Sequence, residues 1–257
     1  MNKEISPKQA LKNVKTYFMW RVQRAKKLTM FASSYTSINS KTILEIGAGL
    51  GPIAFNLSKN RNQIYSVDPS VQVLKLLKKF NPQNNIKAIK AVNEKLPFSS
   101  GFFDIIFSFD SFEHVKSPVL SMAEMSRVLK NNGWIFLEIT PYYSLLTGHH
   151  LYNFSLMPAQ YLPKRLIKWW LYRQKPQGIR TPQEAWNTFI TLNQVKINTI
   201  RQLVKNNHLS IMAENFIFKI PGFIEIKINW IKHFGWLKDI IPMSYQLVLS
   251  KNNAVNN

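Results

Sequence analysis

The sequence contains no cysteine and few acidic residues: 13 Asp and Glu stand against 34 Lys and Arg in 257 residues. Without cysteine, disulfides, cysteine-ligated zinc and a cysteine nucleophile are excluded. Long apolar runs are also missing, since no window approaches the roughly 20 apolar residues that span a bilayer and the N-terminus has no secretory signal pattern. We therefore expect a cytoplasmic protein, and association with a membrane surface stays open.

The formal net charge is +21, and the basic excess lies toward the two ends of the chain. Residues 1–40 hold 8 basic and 1 acidic residue, and residues 141–257 hold 14 and 4. A basic surface attracts anionic partners such as nucleic acid, phospholipid headgroups or phosphorylated small molecules. Because asparagine is abundant beside lysine, a bias of AT-rich coding sequence explains the charge equally well.

Apolar residues three or four positions apart predict an amphipathic helix over 7–31. Between residues 41 and 140, short runs rich in Ile, Val and Phe alternate with helical segments. The predicted strands are 42–47, 64–68, 86–92, 103–109 and 134–140, and the predicted helices lie near 52–60, 70–80 and 116–130. This alternation favours a doubly wound α/β domain whose mostly parallel sheet is covered on both faces.

The alternation of predicted strands and helices ends after residue 140. Residues 141–190 are rich in Tyr, Trp, His and Pro and show no clean period, so we interpret them as a helical or irregular insert. A helix at 191–207 and strands at 209–220 and 245–250 follow. Residues 161–175 interleave aromatic and basic residues, a pattern typical of a membrane interface or a nucleic-acid backbone, and also of a helix with one buried face.

A glycine-rich loop gives the sharpest signal. A buried strand runs into Gly47, Gly49 and Gly51, and Pro52 then opens a helix, where its missing N–H has no partner to lose. Glycine lets the backbone turn sharply and approach a ligand closely. The dinucleotide-binding fingerprint requires glycine at its sixth position, which is Pro52 here. The spacing is instead G-x-G-x-G, preceded by Glu45.

Asp68 ends the second predicted strand, 19 residues after Gly49. A carboxylate at this point accepts hydrogen bonds from both hydroxyls of a ribose, over the edge where open α/β sheets bind ligands. Asp68 could instead cap the N-terminus of the helix at 70–80, or serve both purposes.

Six motifs follow one another in register. They are E-x-G-x-G-x-G at 45–51, V-D at 67–68, L-P-F at 96–98, F-D at 103–104, E-H at 113–114 and R-V-L-K-x-x-G at 127–133. In these motifs the chain resembles the class I S-adenosylmethionine-dependent methyltransferases over about residues 41–140. The resemblance implies a Rossmann-like methyltransferase fold with a seven-stranded sheet. It divides the chain into a basic N-terminal helical segment at 1–40 and a methyltransferase domain at 41–257, with 141–190 as a substrate-binding insert.

The same resemblance implies S-adenosyl-L-methionine as cofactor and a role for each matching position. The loop would wrap the methionine and ribose, Asp68 would hold the ribose hydroxyls with Pro69 beside the adenine, and Phe109 and Asp110 would lie near the sulfonium. Val92 departs from the pattern, because an Asp or Asn usually reads the adenine there, and Asn93 could substitute from the next position. The implied cofactor-binding residues are Glu45, Gly47, Ala48, Gly49, Gly51, Asp68, Pro69, Asn93, Phe109 and Asp110.

Methyl transfer is a direct displacement, so the protein mainly has to place the acceptor in line with the methyl group. An oxygen or nitrogen acceptor also needs a base in some cases. His114 is the first candidate, although it could simply brace the loop that follows the fourth strand. His150 is the second, and its neighbour His149 would point elsewhere. No third ligand is spaced to suggest a metal site.

The acceptor expected from these features is a small molecule, a lipid or a glycan precursor, methylated on oxygen or nitrogen. The basic charge favours an acceptor with an anionic group and is consistent with peripheral membrane contact. Two alternatives stay open. One is an RNA methyltransferase that uses the basic flanks, although no recognised RNA-binding motif is present. The other is a cofactor-binding module without turnover.

Overall fold

The computed structural model describes residues 12–145, 159–174, 181–219 and 225–251. Within these ranges one sheet of eight strands runs through the molecule. In chain order the strands are β1 Thr42–Ile46, β2 Gln63–Asp68, β3 Ile86–Lys90, β4 Phe103–Phe109, β5 Leu129–Ile139, β6 Ser210–Lys219, β7 Glu225–Lys227 and β8 Ser244–Ser250.

Helices connect and cover these strands. They are α1 Val14–Ser33, α2 Pro52–Leu57, α3 Val71–Phe80, α4 Pro118–Val128, α5 Lys164–Tyr172, α6 Pro182–Ile190, α7 Ile197–Asn206 and α8 Leu237–Ile240, with 3-10 turns at Phe112–His114, Ala159–Tyr161 and Asn229–His233. Of the helix predicted over 7–31, residues 7–11 lie outside the described residues. The described helix begins at Val14, where the Asn13 side chain accepts the Thr16 N–H and caps it.

The strand order is β3-β2-β1-β4-β5-β8-β6-β7. Strands β1 to β5 pair in parallel, whereas β8 is antiparallel to both β5 and β6, so β6 points the same way as the parallel strands. The doubly wound, mostly parallel α/β fold is therefore confirmed. The carboxyl ends of β1, β2, β4 and β5 meet at one edge, which we call the carboxyl edge.

Among the described residues the sheet has one strand more than the seven expected. The extra strand, β7, extends the edge beyond β6 through three antiparallel residue pairs. A three-residue strand is too short to give an alternating pattern in the sequence, which is why periodicity did not reveal it.

Side chains that alternate along the strands build a core on each face of the sheet. On one face, Ile43, Ile105 and Phe136 pack with α1 and α2. On the other face, Leu44, Ile106 and residues of α4 and α7 form the larger cluster. The basic helix α1 is therefore part of the covering layer: it buries Ala25, Leu28 and Ala32 against the sheet and α2.

The described part of the insert contains two helices that the sequence pattern did not separate. Helices α5 and α6 each span nine residues, which is too short for a clear period. They pack on each other through a small apolar cluster formed by Ile167, Leu171, Ala185, Phe189 and Leu192. Across the described ranges, none of the helices combines the length and apolar character that a bilayer crossing requires.

Candidate active site at the carboxyl edge

The glycine loop leaves β1 at the carboxyl edge. Gly47, Gly49 and Gly51 have φ values of +60°, +54° and +73°, in the left-handed region that glycine adopts without strain. A Cβ atom on Gly47 would overlap Ser111, and one on Gly51 would press on Leu77 and Asn81. A Cβ on Gly49 would meet no atom within 4 Å. Gly47 and Gly51 thus allow tight packing, whereas Gly49 borders open space.

Glu45, on β1, hydrogen-bonds the residues that follow this loop. Its buried carboxylate accepts hydrogen bonds from the N–H groups of Ile53 and Ala54, at 2.9 and 3.2 Å, and from the Ser66 hydroxyl at 2.9 Å. Burial raises the pKa of Glu45 to about 7, against these hydrogen bonds, which lower it. Ala48 is also buried, and its N–H donates to the Val67 carbonyl at 2.9 Å. These contacts position the loop from within the protein.

Asp68 stands at the end of β2, beside the loop. Its carboxylate oxygens accept from the Gly49 N–H at 3.1 Å and the Ser70 N–H at 2.9 Å. Ser70 caps α3 by accepting the Val73 N–H, so the interpretation of Asp68 as the helix cap is wrong. Burial raises the pKa of Asp68, while the two N–H groups act in the opposite direction. Each oxygen keeps acceptor capacity for a ligand, and Pro69 is exposed next to it.

Asn93 lies in the turn that follows β3, and the Ala91 N–H bonds to the Asp68 carbonyl at 3.3 Å, which brings this turn beside Asp68. Asn93 is 6% exposed, and within the described part of the chain neither atom of its side-chain amide has a hydrogen-bond partner. Buried amides are almost always paired. The orphaned donor and acceptor of Asn93 therefore fit a ligand such as adenine, whose edge offers both a donor and an acceptor, whereas Val92 is exposed.

Two arginines of α1 reach the end of β4. Arg21 and Arg24 donate to the Asp110 carboxylate at 2.5 and 2.9 Å, and their guanidinium groups lie 4.5 and 4.7 Å from the centre of the Phe109 ring. Asp110 has a φ of +51°, which is uncommon outside glycine and is found at constrained sites. The sequence interpretation placed Phe109 and Asp110 at this point but missed both arginines. Their spacing of three on a predicted helix was the available signal.

Glu138, near the end of β5, is a further charged side chain at this edge. It accepts from Arg24 at 3.3 Å and from Gln246 at 2.7 Å. Between α1 and the strand ends lies a cleft of about 180 Å³. Its lining combines charged, amide and apolar side chains: Arg24, Lys27, Leu28, Phe31, Phe109, Glu138, Ile217, Lys227 and Gln246. A cleft of this size accommodates a single ring with a small substituent, since a dry cavity of about 150 Å³ already binds benzene.

The 3-10 turn after β4 carries two further titratable groups. Glu113 is 2% exposed; its Oε1 accepts the Thr140 N–H at 3.3 Å, whereas its Oε2 has no hydrogen-bond partner among the described residues. Burial, helped by the charge of Asp110, raises the pKa of Glu113 to about 8. Glu113 borders a second, water-sized cavity of about 10 Å³. The sequence interpretation named this residue only as part of a motif.

His114 places its Nδ1 3.2 Å from the Thr191 hydroxyl, which ties the turn to the segment after α6. Burial lowers the pKa of His114, although the charge of Asp110 acts against this shift. The imidazole is therefore neutral near pH 7, as a base must be. His149 and His150 lie outside the described residues. Within those residues, no three His, Asp or Glu side chains converge as a metal centre requires.

Residues 44–137 match the family model described as a methyltransferase domain. The chain is 24% identical over 141 residues to a ubiquinone biosynthesis O-methyltransferase of Burkholderia vietnamiensis, covering 52% of this chain and 57% of the relative. It is 26% identical over 116 residues to a cypemycin N-terminal methyltransferase of a Streptomyces species, covering 44% and 47%. The matched region thus spans about half the length of these curated relatives.

Solved structures resemble the chain over most of its length. An S-adenosylmethionine-dependent methyltransferase of Thermotoga maritima aligns with a TM-score of 0.57 at 17% identity, covering 92% of this chain and 89% of that one. Another from Mesorhizobium loti aligns with a TM-score of 0.58 at 12% identity, covering 86% and 96%. At these identities the likeness is one of fold. Residues 44–137 thus match a methyltransferase domain, and the fold of the chain is the Rossmann-like fold of S-adenosylmethionine-dependent methyltransferases, whose cofactor is S-adenosyl-L-methionine.

Proposed function

We propose that this protein transfers a methyl group from S-adenosyl-L-methionine to an oxygen or nitrogen of a small-molecule acceptor at the carboxyl edge. One observation carries the proposal: the open space at Gly49 lies beside the Asp68 carboxylate and the orphaned amide of Asn93. Asp68 would accept from the ribose hydroxyls and Asn93 would bond the adenine edge. The glycine loop would pass beneath the methionine part.

The bound cofactor supplies a methyl group on a positively charged sulfur, ready for direct displacement. The task left to the protein is to bring the acceptor into line, which is worth about 7–11 kcal/mol in well-oriented systems. Phe109 and Asp110 end β4 at the point where such an acceptor would meet the methyl group. Arg21 and Arg24 form ion pairs with Asp110, whose backbone is in the left-handed region, so we assign them a positioning role.

The cleft beside Phe109 is the proposed acceptor site. Three cations line it, Arg24, Lys27 and Lys227, against the single acid Glu138, and Leu28 and Phe31 supply apolar walls. This balance favours an acceptor that combines an apolar ring with an anionic group, as a small molecule or as the reactive end of a lipid or glycan precursor. The names of two relatives support both acceptor atoms, since one methylates oxygen and the other an N-terminal amine.

If the acceptor must lose a proton, a side chain of the turn after β4 would remove it. His114 is our first candidate because its lowered pKa keeps the imidazole neutral near pH 7. Glu113 is an alternative above about pH 8, where its carboxyl group loses its proton; its Oε2 has no hydrogen-bond partner among the described residues. His150 stays a prediction from the sequence.

A pair of glycine substitutions tests cofactor binding. Gly49→Val should abolish binding of S-adenosyl-L-methionine in isothermal titration, because the valine side chain would fill the open space. Gly101→Val is the matched control: Gly101 also has a positive φ, +65°, and an open Cβ position, but it lies in the turn before β4. Both variants strain the backbone by about 1–2 kcal/mol, so thermal unfolding should report similar losses, while Gly101→Val should still bind. A folded wild-type protein that fails to bind the cofactor would refute the proposal.

Incubation with methyl-labelled cofactor and a cell extract tests the reaction itself. The proposal expects label in a small organic molecule, including a lipid or glycan precursor, and none with Gly49→Val. Label in RNA would favour the RNA alternative, and the absence of label despite cofactor binding would favour a module without turnover.

A further inference from the structure

Helix α5 exposes an apolar face opposite its buried one. Ile167 and Leu171 pack into the insert, whereas Leu166, Trp169 and Tyr172 are 54, 55 and 45% exposed. Monomeric proteins rarely leave large apolar side chains contiguous on their surface unless the patch binds something. Exposed tryptophan and tyrosine together are typical of interfaces that are apolar on one side and wet on the other.

Basic residues surround this apolar face. Lys164, Arg165, Lys168 and Arg173 belong to or directly follow α5, and the sequence has no Asp or Glu between Glu138 and Glu184. The Arg173 guanidinium stacks 4.0 Å from the centre of the Trp169 ring. The Lys168 ammonium lies 5.6 Å from the Tyr172 ring. Aromatic bodies and cationic heads thus share one helix surface, and no acid on the helix neutralises it.

A second group of exposed aromatic residues lies in the segment after β7. Trp230, Phe234 and Trp236 are 59, 50 and 67% exposed. The chain next to each group bonds to the segment that follows β5: before α5, the Tyr161 hydroxyl donates to the Tyr143 carbonyl at 3.0 Å, and after Trp236, the Ile240 carbonyl accepts the Leu145 N–H at 2.9 Å. We call the two groups together, Leu166, Trp169, Tyr172, Trp230, Phe234 and Trp236, the aromatic surface.

We infer that the aromatic surface docks on an anionic lipid bilayer. Tryptophan and tyrosine prefer the headgroup level of a bilayer, and helices with basic and aromatic faces lie in the interface plane. Each lysine or arginine near an anionic surface contributes about 1 kcal/mol. A nucleic acid would use the aromatic rings as stacking platforms, and the Arg173 guanidinium covers one face of the Trp169 ring; the experiment below separates the two partners.

The position of this surface bears on the proposed function. The insert follows β5 at the carboxyl edge, and Phe109 and Glu138, at the same ends of β4 and β5, line the proposed acceptor cleft. A bilayer at this place would offer acceptors with an apolar body and an anionic head. This consequence rests on the proposed function, whereas the docking itself does not.

Cosedimentation of the full chain with vesicles tests the inference without cofactor. Binding is expected to phosphatidylcholine vesicles that contain phosphatidylglycerol and to be weak with phosphatidylcholine alone. Lys168→Gln should weaken binding about fivefold, whereas Lys87→Gln should not, although Lys87 also lies over a ring, that of Tyr65 at 5.1 Å. Leu166→Ser should weaken binding further, and Leu120→Ser, at an equally exposed position on α4, should leave it unchanged.

All four substituted side chains lie largely on the surface, so circular dichroism should show folded variants. Equal binding by Leu166→Ser and Leu120→Ser would overturn the inference, as would failure of the wild-type protein to sediment with phosphatidylglycerol. Binding to transfer RNA that is lost in Lys168→Gln, without vesicle binding, would assign the surface to nucleic acid instead. Cofactor titration reports separately on the proposed function, so either result can fail alone.

Discussion

The two halves of the carboxyl edge hold their carboxylates by different means. At β1 and β2, Glu45 and Asp68 accept backbone N–H groups from residues 2 to 19 positions away in the chain. At β4 and β5, Asp110 and Glu138 accept arginine side chains of α1 from 86 to 114 positions away. The cofactor half is thus fixed by local loop geometry, and the acceptor half depends on how a separate helix docks.

The largest effect that this comparison predicts comes from removing one arginine. Arg24→Ala would remove the ion pair from the buried Glu138, which keeps the hydrogen bond from Gln246, and would take one of two arginines from Asp110. Breaking a largely buried ion pair costs about 3–5 kcal/mol. We therefore expect a loss of about 3 kcal/mol in the free energy of unfolding, measured by urea denaturation.

Lys130→Ala provides the control for that loss. Lys130 pairs with Asp104 at 2.9 Å, but the two side chains are 43 and 25% exposed, and Asp104 keeps the Thr42 N–H. Exposed pairs contribute about 1 kcal/mol or less. Equal losses in the two variants would mean that α1 is not anchored through its arginines.

The comparison also explains what could be predicted from the sequence. Strands β1 to β4 and the loop between Glu45 and Pro52 were predictable because each depends on a short pattern: an apolar run, glycines that need a positive φ, and a proline at the first turn of a helix. The roles proposed for Asp68 and Asn93 followed from the family motif, in which Asp68 ends one predicted strand and Asn93 directly follows another.

The acceptor half was not predictable in this way. That Arg21 and Arg24 reach Phe109 depends on the docking of α1, which burial of Ala25 and Leu28 decides and no local pattern encodes. The raised pKa of Glu113 likewise arises from burial by residues distant in the chain. Sequence patterns specify which face of a helix is apolar, but not what the other side chains of that helix meet.

The free energy of unfolding should depend on pH through two buried carboxyl groups. Burial raises the pKa of Glu45 to about 7 and that of Glu113 to about 8, above the ordinary value near 4.3. The folded state then binds these protons more tightly than the unfolded state. These two groups stabilise the folded state fully at pH values below their pKa in the unfolded state. This stabilisation is lost as the pH rises through their pKa in the folded state. We expect the free energy of unfolding to fall steadily between about pH 5 and about pH 8.5.

Glu113→Gln separates the two halves in this experiment. The amide stays neutral, and its oxygen can still accept the Thr140 N–H, so the part of the pH dependence due to the acceptor half should disappear while that of Glu45 remains. Carboxylates with a lowered pKa, such as Asp104 and Glu214, titrate below this window and do not interfere. An unchanged slope in Glu113→Gln would mean that this carboxylate is not buried in solution.

The smallest expected effect distinguishes Asp68 from its neighbour Ser70. Asp68→Asn would halve the acceptor capacity offered to the ribose hydroxyls, and we expect cofactor affinity to fall about tenfold, or about 1.4 kcal/mol, in isothermal titration. Because Ser70 caps α3, this variant should unfold at nearly the wild-type temperature.

Ser70→Ala should behave in the opposite way. It removes the acceptor for the Val73 N–H, which costs about 1 kcal/mol of stability, and should leave cofactor affinity within about twofold because Asp68 keeps the Gly49 N–H. If Asp68→Asn instead lowered the unfolding temperature without changing affinity, the carboxylate would serve the loop alone. The cofactor half and the acceptor half would then differ in how each is stabilised, and the carboxylate of Asp68 would have no part in cofactor binding.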